Sequence, residues 1–255
     1  MSRIFITGSA DGLGQMAAKL LVAQGHRVVL HARNESRAAD ALRAVPGAET
    51  AVSGDLSSIA ETTRVADQVN ELGAFDAVIH NAGIGYREPR RGQTEDGLPP
   101  VFAVNSLAPY ILTCLIQRPR RLVYLSSGLH RDGNPSLIDL EWKTRPWNGY
   151  SAYADSKLHD VILAFAVARK WPDVYSNALE PGWVATKMGG AGAPDSLVEA
   201  PRTQVWLAVS EDPKACVSGK YFYHQQLRAF NPVAEDVAVQ DGLLEAFGRI
   251  SEIKF

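Results

Sequence analysis

Tyr153 and Lys157 are the two side chains whose types and spacing best suit proton transfer. They form a Y-x-x-x-K segment, and on a helix this spacing places them on one face, one turn apart. A free phenol has a pKa of ~10, but a fixed ammonium beside it favours the phenolate and lowers that pKa. The pair therefore predicts general acid–base chemistry. The alternative is a tyrosine that only packs against the core.

Three glycines form the second informative pattern. Gly8, Gly12 and Gly14 have the spacing G-x-x-x-G-x-G, directly after a short apolar run that predicts a strand. Glycines at such a turn let the backbone approach a pyrophosphate, and the first N–H groups of the following helix attract its charge. A glycine-rich turn is often only a turn, but this position favours a dinucleotide site. We expect cofactor contacts from Gly8, Ser9, Asp11, Gly12, Leu13 and Gly14.

The end of the second predicted strand indicates which dinucleotide binds. An acidic residue there would bind the ribose 2′-hydroxyl of NAD, whereas an arginine in its absence accommodates the 2′-phosphate of NADP. No carboxylate occupies this strand end; Arg33 follows it, and Arg37 lies one turn further. Because the arginine fork suits a phosphate, we expect NADP(H) rather than NAD(H). A solvated surface arginine is the alternative, and Asp11 counts against a nearby phosphate.

Short apolar runs alternate with segments of helical period along the chain. The apolar runs predict strands over 4–6, 28–30, 50–52, 77–79, 122–125, 174–179 and 220–223. Helices are expected from Leu13 to near Gly25 and over 35–45, 58–72, 101–116 and 150–170, with a capping box from Ser58 to Glu61. This alternation implies a parallel sheet covered on both faces. Tyr153 and Lys157 should face a cleft at the carboxyl ends of its strands.

The residues around the tyrosine–lysine pair resemble the active site of the short-chain dehydrogenase/reductase family. Six motifs follow in the family's order within residues 3–186: the glycine loop, N-A-G at 81–83, Asn105, L-S-S-G at 125–128, Y-x-x-x-K at 153–157 and P-G-x-V-x-T at 181–186. Gly54-Asp55-Leu56 resembles the family's adenine-side aspartate, and the passage from Thr94 to Asn105 resembles the retinol-dehydrogenase-like branch. The resemblance implies an α/β, single-domain Rossmann fold, with a doubly wound seven-stranded parallel sheet and helices on both faces.

The resemblance also implies a role for each matching residue. Tyr153 would exchange the proton with the substrate oxygen, and Lys157 would lower its pKa and hold the nicotinamide ribose. Ser127 would bind the substrate oxygen, with Ser126 as the alternative, and Asn105 would support the proton relay. The remaining cofactor contacts would come from Asp55, Leu56, Asn81, Ala82, Gly83, Pro181, Gly182, Val184 and Thr186.

Three irregular stretches, around 83–100, 128–149 and 182–201, are predicted substrate loops, because open α/β sheets bind ligands beyond the carboxyl ends of their strands. Trp142, Trp147 and Trp183 fall in or beside them and would either line an apolar pocket or cap the core. We expect a small carbonyl or alcohol as substrate. The family commonly forms homodimers or homotetramers through the helices predicted here over 101–116 and 150–170.

Composition limits the other possibilities. A length of 255 residues with 46% hydrophobic and 21% charged residues is typical of a globular chain, which we interpret as one domain over 1–255. A net charge of −2 gives no reason to expect nucleic acid or an anionic membrane as a partner. Cys114 and Cys216 form no metal-ligand pattern. No secretory signal or bilayer-spanning stretch is visible, so we expect a cytoplasmic protein.

Two other classes use the same fold. A non-catalytic dinucleotide sensor typically loses the catalytic tyrosine or lysine, and both are present here. A sugar-nucleotide epimerase shares Y-x-x-x-K but generally carries G-x-x-G-x-x-G and a longer carboxyl-terminal domain. A hydrolase is disfavoured because the sequence has no G-x-S-x-G elbow.

Overall fold

One eight-stranded sheet runs through the computed structural model, which describes all of residues 1–255. The strands are β1 (Arg3–Ile6), β2 (Arg27–Ala32), β3 (Thr50–Ser53), β4 (Ala77–His80), β5 (Arg121–Leu125), β6 (Tyr175–Leu179), β7 (Tyr221–Tyr223) and β8 (Gln226–Leu227). Their order is β3-β2-β1-β4-β5-β6-β7-β8, and β1 to β7 are parallel. The order reverses direction at β1, so the crevice for a ligand lies between β1 and β4.

Eight helices cover both faces of the sheet. They are α1 (Gly12–Ala23), α2 (Glu35–Ala44), α3 (Ile59–Glu71), α4 (Pro100–Phe102), α5 (Ala108–Leu115), α6 (Gly149–Lys170), α7 (Arg202–Val209) and α8 (Val237–Ser251). Apolar residues of α1, α2 and α7 form the core on one face, and those of α3, α5, α6 and α8 form the core on the other. The predicted doubly wound α/β architecture is confirmed. No helix combines the length and apolar character needed to cross a bilayer.

The eighth strand is an addition to the predicted seven. It pairs antiparallel with β7 through a tight turn in which His224 and Gln225 have φ values of +48° and +61°. Such a turn normally carries Asn or Gly, which tolerate positive φ. Because His-Gln is not a turn signal, a hairpin could not be expected here from the residues alone.

The predicted helix over 101–116 is present, but it contains a π turn. A π turn over Ala103–Leu107 separates α4 from α5, and Pro109 occupies the first turn of α5. Proline lacks the N–H that an uninterrupted helix would need and clashes with the preceding turn, and single π turns inside helices are frequent at functional sites. Asn105 lies in the middle of this turn. Half of the predicted capping box is present at α3: the Ser58 hydroxyl accepts a hydrogen bond from the Glu61 N–H, whereas the Glu61 carboxylate accepts the N–H of Asp55 rather than that of Ser58.

Helix α6 is surrounded by its own chain. Every residue from Ala152 to Val167 is buried, and α8 closes the outer side. Phe247 of α8 packs edge-on against Phe102, Tyr110 and His159, which belong to α4, α5 and α6. The faces of 101–116 and 150–170 assigned to a subunit interface are therefore largely covered within one chain.

Candidate active site

A cavity of about 820 Å³ lies at the carboxyl ends of the strands, within the size range of small-molecule sites. Most of the predicted site residues line it: Gly8, Asp11, Gly12, Leu13, Arg33, Asp55, Leu56, Asn81, Ala82, Gly83, Tyr153, Lys157, Pro181 and Thr186. Predicted residues outside that lining are Ser9, Gly14, Asn105, Ser127, Gly182 and Val184. The fold therefore places the glycine loop, Arg33 at the end of β2 and the tyrosine–lysine pair around one cavity.

The glycine loop is shaped to hold a phosphate group against its backbone. Gly8 has a φ of +61°, and a Cβ there would lie 2.8 Å from the Ala82 Cα. Gly12 has a φ of +56°, and a Cβ there would meet nothing within 4 Å. Asp11 precedes α1 without capping it, so the first N–H groups of the helix stay available. The loop thus fits a dinucleotide pyrophosphate.

Buried side chains hold this loop from behind. Asn81 Nδ2 donates to the carbonyl oxygens of Thr7 and Gly8, at 3.0 Å each, and the Thr7 hydroxyl accepts the N–H groups of Asn81 and Ala82. The Ser9 hydroxyl donates to the Ile6 carbonyl and accepts the His31 N–H. It is therefore bonded to the backbone of β1 and β2.

His31 is a brace that the sequence analysis missed. Its Nδ1 accepts the Gly8 N–H at 3.0 Å, and its Nε2 lies 3.0 Å from the Gly54 carbonyl. This pattern requires a neutral ring with the proton on Nε2. Burial lowers the pKa of His31 to about 4, so the neutral form persists at physiological pH. A histidine within a strand carries no signal for this role.

One end of the cavity lies where β2 ends, and we call it the adenosine end because the adenosine of a dinucleotide is expected there. This end is rich in positive charge. Arg33 and Arg37 line it, as predicted, together with Lys187 from the loop after β6. Asp11 lies between them: its Oδ2 accepts from Arg37 Nη2 at 2.9 Å and from Lys187 Nζ at 2.8 Å. Lys187, followed by Arg37, holds the pKa of Asp11 below its usual value against a modest burial effect. The negative charge of Asp11, which alone would disfavour a phosphate here, is therefore paired with the positive charges of Arg37 and Lys187.

Tyr153 and Lys157 lie side by side on α6, as the spacing predicts. Lys157 Nζ is 5.9 Å from the centre of the Tyr153 ring, and both side chains are buried. The ammonium donates to the Leu125 carbonyl at 2.6 Å and to Asp160 Oδ2 at 2.8 Å. The remaining side of the ammonium faces the cavity, which both Lys157 and Gly83 line; a Cβ on Gly83 would be in van der Waals contact with Nζ, at 3.7 Å.

The pKa of Tyr153 departs from the expected direction. Burial raises it, and this outweighs the lowering by Lys157 and by the neighbouring Ser127 hydroxyl. Asp160 and Tyr86 add smaller upward effects. The sequence indicated the ammonium but not how deeply the phenol is buried. Within the folded chain Tyr153 is therefore held protonated, the form that donates to a carbonyl oxygen.

The two neighbouring serines have different environments. Ser126 is 4% exposed, and its hydroxyl donates to the Lys157 carbonyl at 2.7 Å. The Ser127 hydroxyl accepts only a long hydrogen bond, 3.3 Å, from the Leu129 N–H, and it has a lowering effect on the pKa of the Tyr153 phenol. Ser126 thus lines the cavity with its hydroxyl already bonded, whereas Ser127 lies outside the lining and has the freer hydroxyl.

Asn105 connects the π turn to the rest of the site. Its Oδ1 accepts the Ile84 N–H at 2.7 Å, and its Nδ2 donates to the Ile84 carbonyl and the Ser156 hydroxyl, at 3.0 Å each. A Cβ on Gly83 would lie 3.6 Å from the Asn105 Oδ1. The amide is therefore fully occupied in fixing the segment after β4 against α6.

Apolar side chains from all three predicted substrate loops surround Tyr153. They form a cluster with Tyr86 from 83–100, Leu129, Trp142 and Trp147 from 128–149, and Met188 from 182–201. The Tyr86 ring packs edge-on against Tyr153 at 5.7 Å, and the Met188 sulfur lies 4.0 Å from the phenol oxygen. Trp183, by contrast, is 55% exposed. Trp142 and Trp147 pack edge-on against each other within this cluster, and none of the three tryptophans lines the cavity.

Comparison with known proteins agrees with the family resemblance seen in the sequence. The model of the short chain dehydrogenase family matches residues 2–196. An uncharacterized oxidoreductase of Emericella nidulans is 47% identical over 99% of this chain and 98% of its own length. Human retinol dehydrogenase 13 is 32% identical, covering 92% of this chain and 80% of its own length, which agrees with the expected retinol-dehydrogenase-like branch.

A solved structure confirms the architecture. An uncharacterized protein of Mycobacterium paratuberculosis superimposes with a TM-score of 0.86 and 24% identity, covering all of this chain and 95% of that one. At that identity the likeness concerns the fold. It extends over the complete sheet and its flanking helices.

Proposed function

The chain belongs to the short-chain dehydrogenase family of NAD(P)-dependent oxidoreductases, and we propose that it transfers hydride between NADP(H) and a small apolar carbonyl or alcohol. The observation that carries this proposal is the shared cavity: the glycine loop, Arg33, Tyr153 and Lys157 all line one space. A dinucleotide on the glycine loop would extend along that space toward the tyrosine.

Each catalytic residue has a part in the proposed mechanism. The bound dinucleotide supplies the hydride in reduction and accepts it in oxidation. Tyr153 donates its proton to the carbonyl oxygen in reduction and takes it from the alcohol in oxidation. Lys157 favours the phenolate that Tyr153 becomes, and its side facing the cavity is available to the nicotinamide ribose.

Ser127 and Asn105 complete the site. The Ser127 hydroxyl, beside the phenol, would hold the substrate oxygen next to Tyr153. Asn105 would support the relay by keeping the segment after β4 fixed against α6. The remaining predicted cofactor contacts, including Ser9, Gly14, Gly182 and Val184, would act through their backbone or by shaping the loops.

NADP(H) is the proposed cofactor because of the charge at the adenosine end. Arg33, Arg37 and Lys187 carry three positive charges against the two negative charges of Asp11 and Asp55. No acidic side chain stands at the end of β2, where Ala32 leads directly to Arg33. A 2′-phosphate would therefore enter a region of net positive charge.

An apolar substrate is supported by the surroundings of the phenol. The Tyr86 ring packs edge-on against Tyr153, and Met188 lines the cavity with its sulfur 4.0 Å from the phenol oxygen. Retinol dehydrogenase 13, one of the similar proteins, is named for an apolar alcohol. The loops 83–100, 128–149 and 182–201 would form the substrate pocket over a single catalytic domain, and a homodimer or homotetramer would assemble through surfaces other than α6.

Cofactor turnover across a panel of carbonyls and alcohols tests the proposal. We expect NADPH oxidation with apolar aldehydes or ketones, and slower turnover with NADH. Binding of NADPH without turnover of any panel member would favour the dinucleotide sensor instead. Tighter binding of NADH than of NADPH would refute the cofactor assignment, and light scattering would report the number of subunits.

A further inference from the structure

Asp160 is a buried carboxylate beside the proposed catalytic lysine. It lies on α6 three residues after Lys157, and its relative exposure is 2%. Lys157 Nζ donates to its Oδ2 at 2.8 Å, and Lys157 is its sole side-chain partner. The carboxylate is therefore placed to act on the ammonium alone.

The geometry around Lys157 shows what Asp160 would do. An ammonium has three N–H donors, and two of them are used by the Leu125 carbonyl and by Asp160. Both acceptors lie inside the protein, so the third donor is left for the cavity. Asp160 thus contributes to the direction in which the lysine presents its remaining proton.

The positive charge of Lys157 is a second reason to regard Asp160 as its functional partner. A lysine with a side-chain exposure of 6% is costly to keep ionised without a counter-charge. The other titratable groups near Asp160 are Tyr124 from β5 and Tyr153 from α6 itself, and neither is negatively charged at neutral pH. Asp160 supplies the balancing charge.

We propose that Asp160 is a positioning residue for the reaction: it aims the Lys157 ammonium at the nicotinamide side of the cavity and keeps it charged in a water-poor site. This inference rests on the proposed function of Lys157. The two partners differ in how burial acts: it raises the pKa of Asp160 to about 7 despite Lys157, so the carboxylate carries its charge above neutral pH, while the Lys157 ammonium stays charged. Burial lowers the pKa of Lys157, Asp160 and then Tyr153 raise it, and the net shift is upward.

The Asp160→Asn variant tests this role, because asparagine keeps the size and an acceptor oxygen but removes the charge. We expect the pKa of Lys157 to fall, so NADPH affinity should weaken at least tenfold more between pH 7 and 9.5 in the variant than in the wild type. Above pH 7 the 2′-phosphate is already ionised, so its own titration does not interfere. A wild-type pH profile for Asp160→Asn would overturn the proposal.

Asp155→Asn is the matched control. Asp155 is also a buried carboxylate on α6, and it pairs with Arg145 at 2.6 Å rather than with Lys157. Its replacement should leave the pH profile of NADPH affinity unchanged, even where it lowers the Tm. A similar change in both variants would mean that any lost charge on α6 has this effect, and the specific role of Asp160 would fail.

A second comparison does not depend on activity or on the folding of Asp160→Asn. If Asp160 serves only Lys157, Lys157→Met alone leaves a buried unpaired carboxylate, and adding Asp160→Leu should raise the Tm by roughly 5 °C or more. A further fall in Tm on adding Asp160→Leu would refute the pairing. Failure of the wild type to bind NADPH or NADH would refute the proposed function instead, whereas this comparison of Tm values would still test the pair.

Discussion

The two ends of the cavity each contain a lysine–aspartate pair with an N–O distance of 2.8 Å, Lys157 with Asp160 and Lys187 with Asp11. The side chains of the first pair are 6% and 3% exposed, whereas those of the second are 84% and 49% exposed. Water and salt screen the exposed pair, while the buried pair interacts at a much lower effective dielectric constant. The same contact should therefore matter greatly at the catalytic end and little at the adenosine end.

The largest effect should come from the catalytic end. Tyr153→Phe keeps the ring but removes the transferable proton, so kcat should fall by about 10²- to 10⁴-fold, while NADPH affinity stays within about twofold. Steady-state kinetics and a binding titration measure the two quantities. Tyr150→Phe is the control, because Tyr150 is a half-exposed tyrosine on the same helix whose hydroxyl donates to Asp132. Near-normal turnover by Tyr153→Phe would remove the basis for the mechanism.

The lysines provide the direct comparison of stability. Lys157→Ala leaves Asp160 buried without its partner and should lower the free energy of unfolding by roughly 3–5 kcal/mol. Lys187→Ala removes only an exposed contact and should change it by about 1 kcal/mol or less. Urea unfolding of both variants measures the difference. Equal losses would mean that burial does not distinguish the two ends.

The next effect concerns Arg33, which is tested through affinity rather than stability. Arg33→Ala should weaken NADPH binding by about tenfold, because one charge-assisted hydrogen bond contributes roughly 1.5–3 kcal/mol and exposure reduces that value. NADH binding should be nearly unchanged. Arg43→Ala, an exposed arginine paired with Asp40 on α2, is the control. Ala32→Asp should in turn shift preference toward NADH, and an equal loss for both cofactors in Arg33→Ala would contradict the assignment.

The smallest expected effect is a gain. Asp11→Asn releases Arg37 and Lys187 from their shared carboxylate and lowers the negative charge near the 2′-phosphate. We expect NADPH to bind roughly two- to fivefold more tightly, in line with the small energies of exposed ion pairs. Isothermal titration at low and at physiological salt measures this, and the gain should shrink as salt rises. Weaker NADPH binding would show that Asp11 positions the two cations rather than opposing the phosphate.

The sequence predicted most reliably what is set by local pattern. The parallel strands, the glycine loop and the tyrosine–lysine spacing all depend on residues close together in the chain, and the structure places them as expected. Asp160 was also within reach, because its i, i+3 spacing from Lys157 is visible on a helix. What the sequence could not show is that the pair is buried, since that depends on contacts with β5, a distant segment of the chain.

Contacts between distant segments escaped prediction for the same reason. Lys187 reaches Asp11 from 176 residues away, and Met188 reaches Tyr153 from a loop without regular structure. The π turn at Asn105 had one local sign, Pro109, whose effect on the preceding turn depends on tertiary packing. The upward pKa shift of Tyr153 likewise follows from burial by three separate loops.

The position of α8 at the carboxyl end of the chain determines when α6 becomes fully packed during synthesis. Chains emerge from the ribosome from the amino terminus onward, and domains tend to fold as units. Helix α6, which carries Tyr153, Lys157 and Asp160, precedes α8 by β6, α7, β7 and β8, yet Phe247 of α8 completes its packing. During synthesis the catalytic helix would therefore remain partly uncovered until α8 emerged, so a slow stretch of translation before residue 237 would prolong the exposure of its apolar surface.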